Sequence, residues 1–169
     1  MLQIAEGALG KPARPVGATL FDKSPQSNWL VVWHQDTALP LCDRRDVPGW
    51  GPWSVKHGVL YAHAPATALE RVVALRVHLD DSTILNGPLR VLPGSHQHGL
   101  LDDPEIAQLA RLVPSVDCLA ASGSVILMRP LLVHASSKAM APAPRRVIHI
   151  EYTDTLGQDG GLVTRIVEQ

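Results

Sequence analysis

Apolar residues in this chain come in short runs, each cut off within a few positions by a glycine, a proline or a charge, and that punctuation limits the fold more than any other feature. With 13 glycines and 14 prolines in 169 residues, a long helix is excluded over most of the chain, while short strands joined by turns are not. β-Branched character or alternation marks strands at Ala18 to Phe21, Trp29 to Trp33, Val72 to Leu79, Leu89 to Leu92, Ser115 to Leu119, Val125 to Met128, Leu131 to His134 and Arg146 to Tyr152. A final strand is expected at Leu162 to Val167, and Asn86-Gly87 is a turn signal. One helix is expected, over Asp103 to Leu112. Asp103 caps it, Pro104 starts it, and Ile106, Leu109, Ala110 and Val113 recur at helical spacing. Gly10, Pro12, Pro15 and Gly17 argue against a long helix in the first 17 residues. Leu39 to Trp53, with three prolines and two glycines, reads as a long loop. The expected fold is therefore mainly β, a double-stranded β-helix (the cupin-like jelly roll) with one short helix, in a single domain over residues 1–169.

Charge and cysteine usage narrow the functional classes. A net charge of −1 leaves no electrostatic footprint for nucleic acid or an anionic membrane, and no apolar run approaches the length of a membrane span. Cys42 and Cys118 sit in no metal-binding spacing. The start, MLQIAEGALG, carries a glutamate and no basic region, so no secretory leader is read there. Reduced thiols and a cytoplasmic location are the expectation.

The residues with the most chemistry are His34-Gln35-Asp36, directly after the apolar run Leu30-Val31-Val32-Trp33. On a strand, residues two apart share a face, so His34 and Asp36 project an imidazole and a carboxylate into one space. They supply two of the three ligands of a facial triad, although an isolated His-x-Asp also fits a polar strand end. A second segment, Ser124 to His134, ends in a histidine, and strands of a barrel bring such ligands together on its axis. Arg145 and Arg146 then open the alternating run to Tyr152, and a guanidinium beside a metal site is a fork for a carboxylate. A triad with a carboxylate clamp describes a site for 2-oxoglutarate.

WHQD (Trp33 to Asp36), LRVHLDDSTILNGPLRVLPGSHQHG (Leu75 to Gly99), MRPLLVHASS (Met128 to Ser137) and RRVIHIEY (Arg145 to Tyr152) together resemble the phytanoyl-CoA dioxygenase family of Fe(II)/2-oxoglutarate oxygenases. The similarity runs from about Phe21 to Tyr152. It implies that His34, Asp36 and His134 bind Fe(II), that 2-oxoglutarate and O2 are co-substrates, and that a small-molecule substrate is hydroxylated with release of succinate and CO2. Asp36 favours hydroxylation, because related halogenases carry a small residue there. The resemblance makes Arg145 the clamp on the far carboxylate of 2-oxoglutarate, with Ser136 donating to the same group. Strand alternation lets only one of Arg145 and Arg146 face inward, and the family spacing favours Arg145.

Several residues have competing readings. His78 and His149 are barrel residues, His149 lining the pocket near Arg145. His96 braces the Pro93-Gly94 break, with Ser95 able to reach the cofactor. His57 and His63 read as surface residues, and Lys23 and Lys56 as solvated lysines or partners of an anionic substrate. Trp50 and Trp53 make the Leu39 to Trp53 loop either a substrate wall or a segment anchored to the barrel. Only 33 residues precede His34, fewer than the resemblance leads one to expect, and a homodimer covering an exposed sheet edge is the corresponding expectation. Two other functions compete: a non-catalytic cupin-like domain binding a metal or ligand, and a metal-dependent hydrolase or isomerase, which needs neither Arg145 nor Ser136.

Overall fold

Strand alternation builds most of the computed structural model, which describes residues 1–154 and the backbone of residues 167–168. In chain order the elements are α1 (Leu2–Leu9), β1 (Arg14–Lys23), β2 (Val31–His34), β3 (Ala38–Leu41), β4 (Trp53–Lys56), β5 (Val59–His63), α2 (Ala66–Leu69) and β6 (Val72–His78). There follow β7 (Leu89–Val91), a 3-10 turn (Ser95–His98), α3 (Asp103–Leu112), β8 (Val116–Cys118), β9 (Val125–Met128), β10 (His134–Ser136), β11 (Arg145–Thr153) and β12 (Val167–Glu168). A large sheet has the order β12-β1-β11-β6-β9, and a small sheet the order β2-β10-β7-β8. Residues of both line one cavity, which makes the pair a jelly roll. A third sheet, β3-β5-β4, stands at the mouth of that cavity through Ala38, Lys56, Tyr61 and His63.

Each main sheet is backed by a helix. Ala5 of α1 packs with Val73, Leu75 and Tyr152 on the outer face of the large sheet. Ile106 of α3 packs with Leu92 and Val133 behind the small sheet, with Trp33 against them. A fully buried side chain such as Leu75 contributes about 1.5–3 kcal/mol relative to exposure. The two inner faces meet through Ala74, Leu89 and Met128.

The structure corrects the expected elements at four places. There are three short α-helices among the described residues rather than one. α1 is too short to stand alone and is held by its packing, so sequence propensity hides it. Gly10 ends it in the left-handed region at φ 66°. The helix expected over Asp103 to Leu112 is present, but its cap is Asp102, which forms a capping box with Glu105. The supposed loop from Leu39 to Trp53 holds most of β3 and the start of β4. Pro40 sits inside β3, an edge strand of its sheet, where a missing N–H is tolerated. Of Leu131 to His134 only His134 is strand, and β10 runs on to Ser136. The strand expected over Leu162 to Val167 lies mostly outside the described residues. Val167–Glu168 pairs in parallel with β1. No helix among the described residues is long and apolar enough to cross a membrane. Cys42 and Cys118 are both free.

Candidate metal centre

His34 and His134 are cross-strand partners on β2 and β10, with ring centroids 4.2 Å apart. Asp36 lies two residues beyond the end of β2, not on the strand, and is placed by a hydrogen bond from its own N–H to the carbonyl of Pro130, at 3.0 Å. Its Oδ1 is 3.4 Å from Nε2 of His34 and its Oδ2 3.5 Å from Nε2 of His134. One ligand atom from each of the three residues falls within 4.8 Å of the others. Both imidazoles are fixed the same way. Nδ1 of His34 lies 2.8 Å from the carbonyl of Val32, and Nδ1 of His134 lies 2.8 Å from that of Leu132. Each Nδ1–H therefore donates backward to a carbonyl two residues upstream, and each neutral ring turns an Nε2 lone pair toward the carboxylate. Lone pairs facing a carboxylate call for a cation between them. This donor set, with its fixed tautomers, fits a divalent transition metal.

The electrostatics agree with that assignment. Burial alone would raise the Asp36 carboxyl. Without a cation between the two groups, a proton taken up at Nε2 of His34 is shared with that carboxylate. This hydrogen bond, with the positive charge that protonation puts on His134 and His149, outweighs burial and holds Asp36 well below the usual carboxylate range. His34 is pushed up, chiefly by its hydrogen bond to Asp36, while burial pushes His134 down. Gln35 between the ligands is buried and fully engaged. Its Nε2 donates to the carbonyls of Gly99 and Leu131, at 2.8 and 2.7 Å, and its Oε1 accepts from the N–H of Leu101 at 2.9 Å.

The same cavity, about 450 Å3 in volume, holds a second cluster at its other end. Arg145 of β11 is buried and faces inward, while Arg146 faces out and forks onto Asp80 at 2.8 and 2.9 Å. Nη2 of Arg145 donates to Ser136 Oγ at 3.4 Å, and its buried Nη1 has no partner among the described residues. Ser136 Oγ donates to the carbonyl of Gly87 at 2.9 Å. Lys23, for which the sequence left open a solvated lysine or a partner of an anionic group, is completely buried. Its Nζ donates to Ser136 Oγ at 2.8 Å and to the carbonyl of Ser137 at 2.6 Å. Burial, then the charge of Arg145, push its pKa down to about 8. Two cations side by side in a buried pocket, one with an unused N–H, fit a carboxylate.

Between the clusters Arg76 donates to Nδ1 of His149 at 3.1 Å and lies 5.3 Å over the ring of Phe21. Burial, then the charge of Arg76, take His149 down to about 4, so it is a neutral wall residue. His63 is at the cavity mouth, with its Nδ1 2.6 Å from Thr37 Oγ1. Ser95 does not reach the cavity; its Oγ accepts from the N–H of Val133, one residue before His134. His96 and His98 lie in the 3-10 turn and His57 in the turn after β4, away from the triad's cavity. Gln35 is a site residue that sequence reasoning missed, and for Lys23 it missed the burial beside Ser136 and Arg145. A lysine on the inward-facing alternate of β1 was the available signal for the second. For the first it was a neutral amide between two ligands.

Comparison with known proteins places this geometry in a familiar setting. The family model of phytanoyl-CoA dioxygenase (PhyH) matches residues 9–147. Among solved structures, AviO1 from Streptomyces viridochromogenes Tue57 is 30% identical, with a TM-score of 0.65 over 91% of this chain and 57% of that one. EvdMO1 is 27% identical with a TM-score of 0.66, over 91% of this chain and 30% of that one. EctD from S. alaskensis, solved with 2-oxoglutarate and 5-hydroxyectoine, shares the fold at 23% identity and a TM-score of 0.64, over 90% of this chain and 48% of that one. The chain thus spans from under a third to less than two thirds of the length of these relatives. No curated protein matches.

Proposed function

The chain belongs to the phytanoyl-CoA dioxygenase family, and from that premise we propose that it is an Fe(II)- and 2-oxoglutarate-dependent dioxygenase hydroxylating a small organic substrate, with release of succinate and CO2. The observation that carries the reading is the pairing of two complementary clusters in one cavity. At one end Nε2 of His34, Nε2 of His134 and the Asp36 carboxylate converge. At the other, Arg145 and Lys23 present buried positive charge around Ser136.

In this reading His34, Asp36 and His134 hold the iron, and Arg145, Ser136 and Lys23 hold the far carboxylate of 2-oxoglutarate. Iron and 2-oxoglutarate, when bound, supply the oxidation of a substrate C–H bond by O2. The protein contributes orientation and charge. The back-donated Nδ1–H bonds keep both imidazoles neutral at Nε2, Gln35 pins the segment between the ligands, and Arg145 and Lys23 neutralise a dianion in a buried site. Asp36 occupies a ligand position that a halide needs empty, which favours hydroxylation. A hydrolase or isomerase has no use for the Arg145–Lys23 cluster.

The test is an anaerobic Fe(II) titration with and without 2-oxoglutarate, following the visible metal-to-ligand charge-transfer band. The expected result is a band that needs both components and disappears in His134→Ala. A folded, metal-loaded protein with no band overturns the assignment.

A further inference from the structure

Glu151 is a half-buried carboxylate in the cavity wall that no described residue holds. The inward face of β11 carries Arg145, Val147, His149 and Glu151 in succession. Six residues at ~3.4 Å each put the two ends of that row ~20 Å apart, so Glu151 lies far from the carboxylate clamp while lining the same cavity as Asp36. Its cross-strand neighbours are Gly17 on β1 and Ala74 on β6, which bring no polar side chain to it. Gly17 leaves the room that the carboxylate uses: a Cβ there stands 3.2 Å from Oε2 of Glu151. No described residue hydrogen-bonds the carboxylate, whereas Arg145, Arg76, His149 and Gln35 all have partners. Glu151 is partly exposed to the cavity, and a carboxyl group there without a protein donor is made good by a donor that arrives with a ligand.

The third sheet also lines the cavity. Tyr61 of β5 is buried in the cavity lining, and the Lys56 ammonium lies 5.6 Å from its ring centroid. The ring thus already carries one cation over it, from the protein itself. A carboxylate that no described residue bonds, in a cavity also lined by an aromatic ring, is complementary to a protonated nitrogen. An anionic group on the substrate would be drawn instead to Lys56, or to Arg145 and Lys23, where 2-oxoglutarate competes.

Resting on the dioxygenase reading above, we propose that the prime substrate carries a basic nitrogen and that Glu151 is the residue that receives it. Glu151 is a specificity-determining residue; it takes no part in holding the metal or 2-oxoglutarate.

The experiment uses the full chain loaded with Fe(II) and 2-oxoglutarate under nitrogen, with hexylamine and 1-hexanol as probes matched in shape and differing in charge. Binding is read by ligand-observed NMR on a metal-free or Zn(II)-loaded sample and by perturbation of the charge-transfer band. Wild type is expected to prefer the ammonium by about ten- to hundredfold, the range of a charge-assisted hydrogen bond. Glu151→Gln is expected to lose that preference while the band with 2-oxoglutarate persists. Gly17→Ala keeps the carboxylate but crowds it, and is expected to reduce the preference several-fold, so the conclusion does not depend on one variant folding. Equal binding of the two probes, or a preference that survives in Glu151→Gln, overturns the proposal while the band stands. Absence of the band overturns the parent reading, whatever the probes do.

Discussion

The two sheets that enclose the cavity hold their inward side chains by different means. The large sheet relies on length: β1, β6 and β11 have 10, 7 and 9 residues, and their ladders set Arg145, His149, Arg76 and Lys23 in rows. β2, β7 and β10 of the small sheet have 4, 3 and 3 residues, with a register shift between His134 and Ser136. Such strands cannot position a triad by themselves. The small sheet is completed by side chains bonded to backbone: Gln35 to three groups, Ser95 to Val133, Asn86 to Asp81 and Thr83, and Ser136 to Gly87. Ladder length sets stability in one sheet, and buried polar side chains set geometry in the other.

Mutations separate the two. His134→Ala removes a proposed ligand from the small sheet, and 2-oxoglutarate turnover to succinate is expected to be lost while far-UV circular dichroism is unchanged. Leu75→Ala strikes the large sheet where it packs on α1. It is expected to cost about 2–5 kcal/mol in denaturant unfolding while Fe(II) affinity is retained. Gln35→Ala should do the reverse. Metal affinity is expected to fall about 10–100-fold by competition with a chelator, with a smaller loss of stability. A Gln35 variant that loses stability but keeps its affinity would break the comparison.

Lys23 sharpens it, because its side chain crosses from the large sheet to Ser136 of the small one. Its folded pKa of about 8 lies below the 10.5 of an unhindered lysine. Between those values the unfolded chain holds a proton that the folded chain has released, so stability is expected to rise with pH there. Affinity for 2-oxoglutarate should fall over the same interval, since the neutral amine no longer attracts a carboxylate. Calorimetric titrations from pH 7 to 10 check both signs, and Lys23→Met should flatten both curves. This is the smallest effect, a few-fold in affinity.

The same division governs what the sequence disclosed. Alternation over Val72 to His78 and Arg145 to Thr153 made the large sheet readable, since long ladders leave a period. The jelly roll, the family and the inward alternation of Arg145 or Arg146 followed from such patterns and from motifs. β3, β4 and β5 were not readable as a sheet, because prolines and glycines punctuate them and their partners are set by tertiary contact. α1 was hidden because eight residues gain their helicity from Val73, Leu75 and Tyr152. The burial of Lys23 and the three bonds of Gln35 depend on what lies across the cavity, which no local window contains. The placement of Asp36 beyond its strand depends likewise on Pro130, far along the chain.

His34 and His134 face each other across β2 and β10 although a hundred positions separate them in sequence. Closing so long a loop is costly, so the contact is expected to form after the rate-limiting barrier, and a refolding rate that does not change with added Fe(II) is the check. A ligand that joins the two rings then acts on a structure already past its rate-limiting barrier. It leaves the folding rate alone and lengthens the lifetime of the native state, so that metal supply governs how long each molecule lasts rather than how quickly it forms.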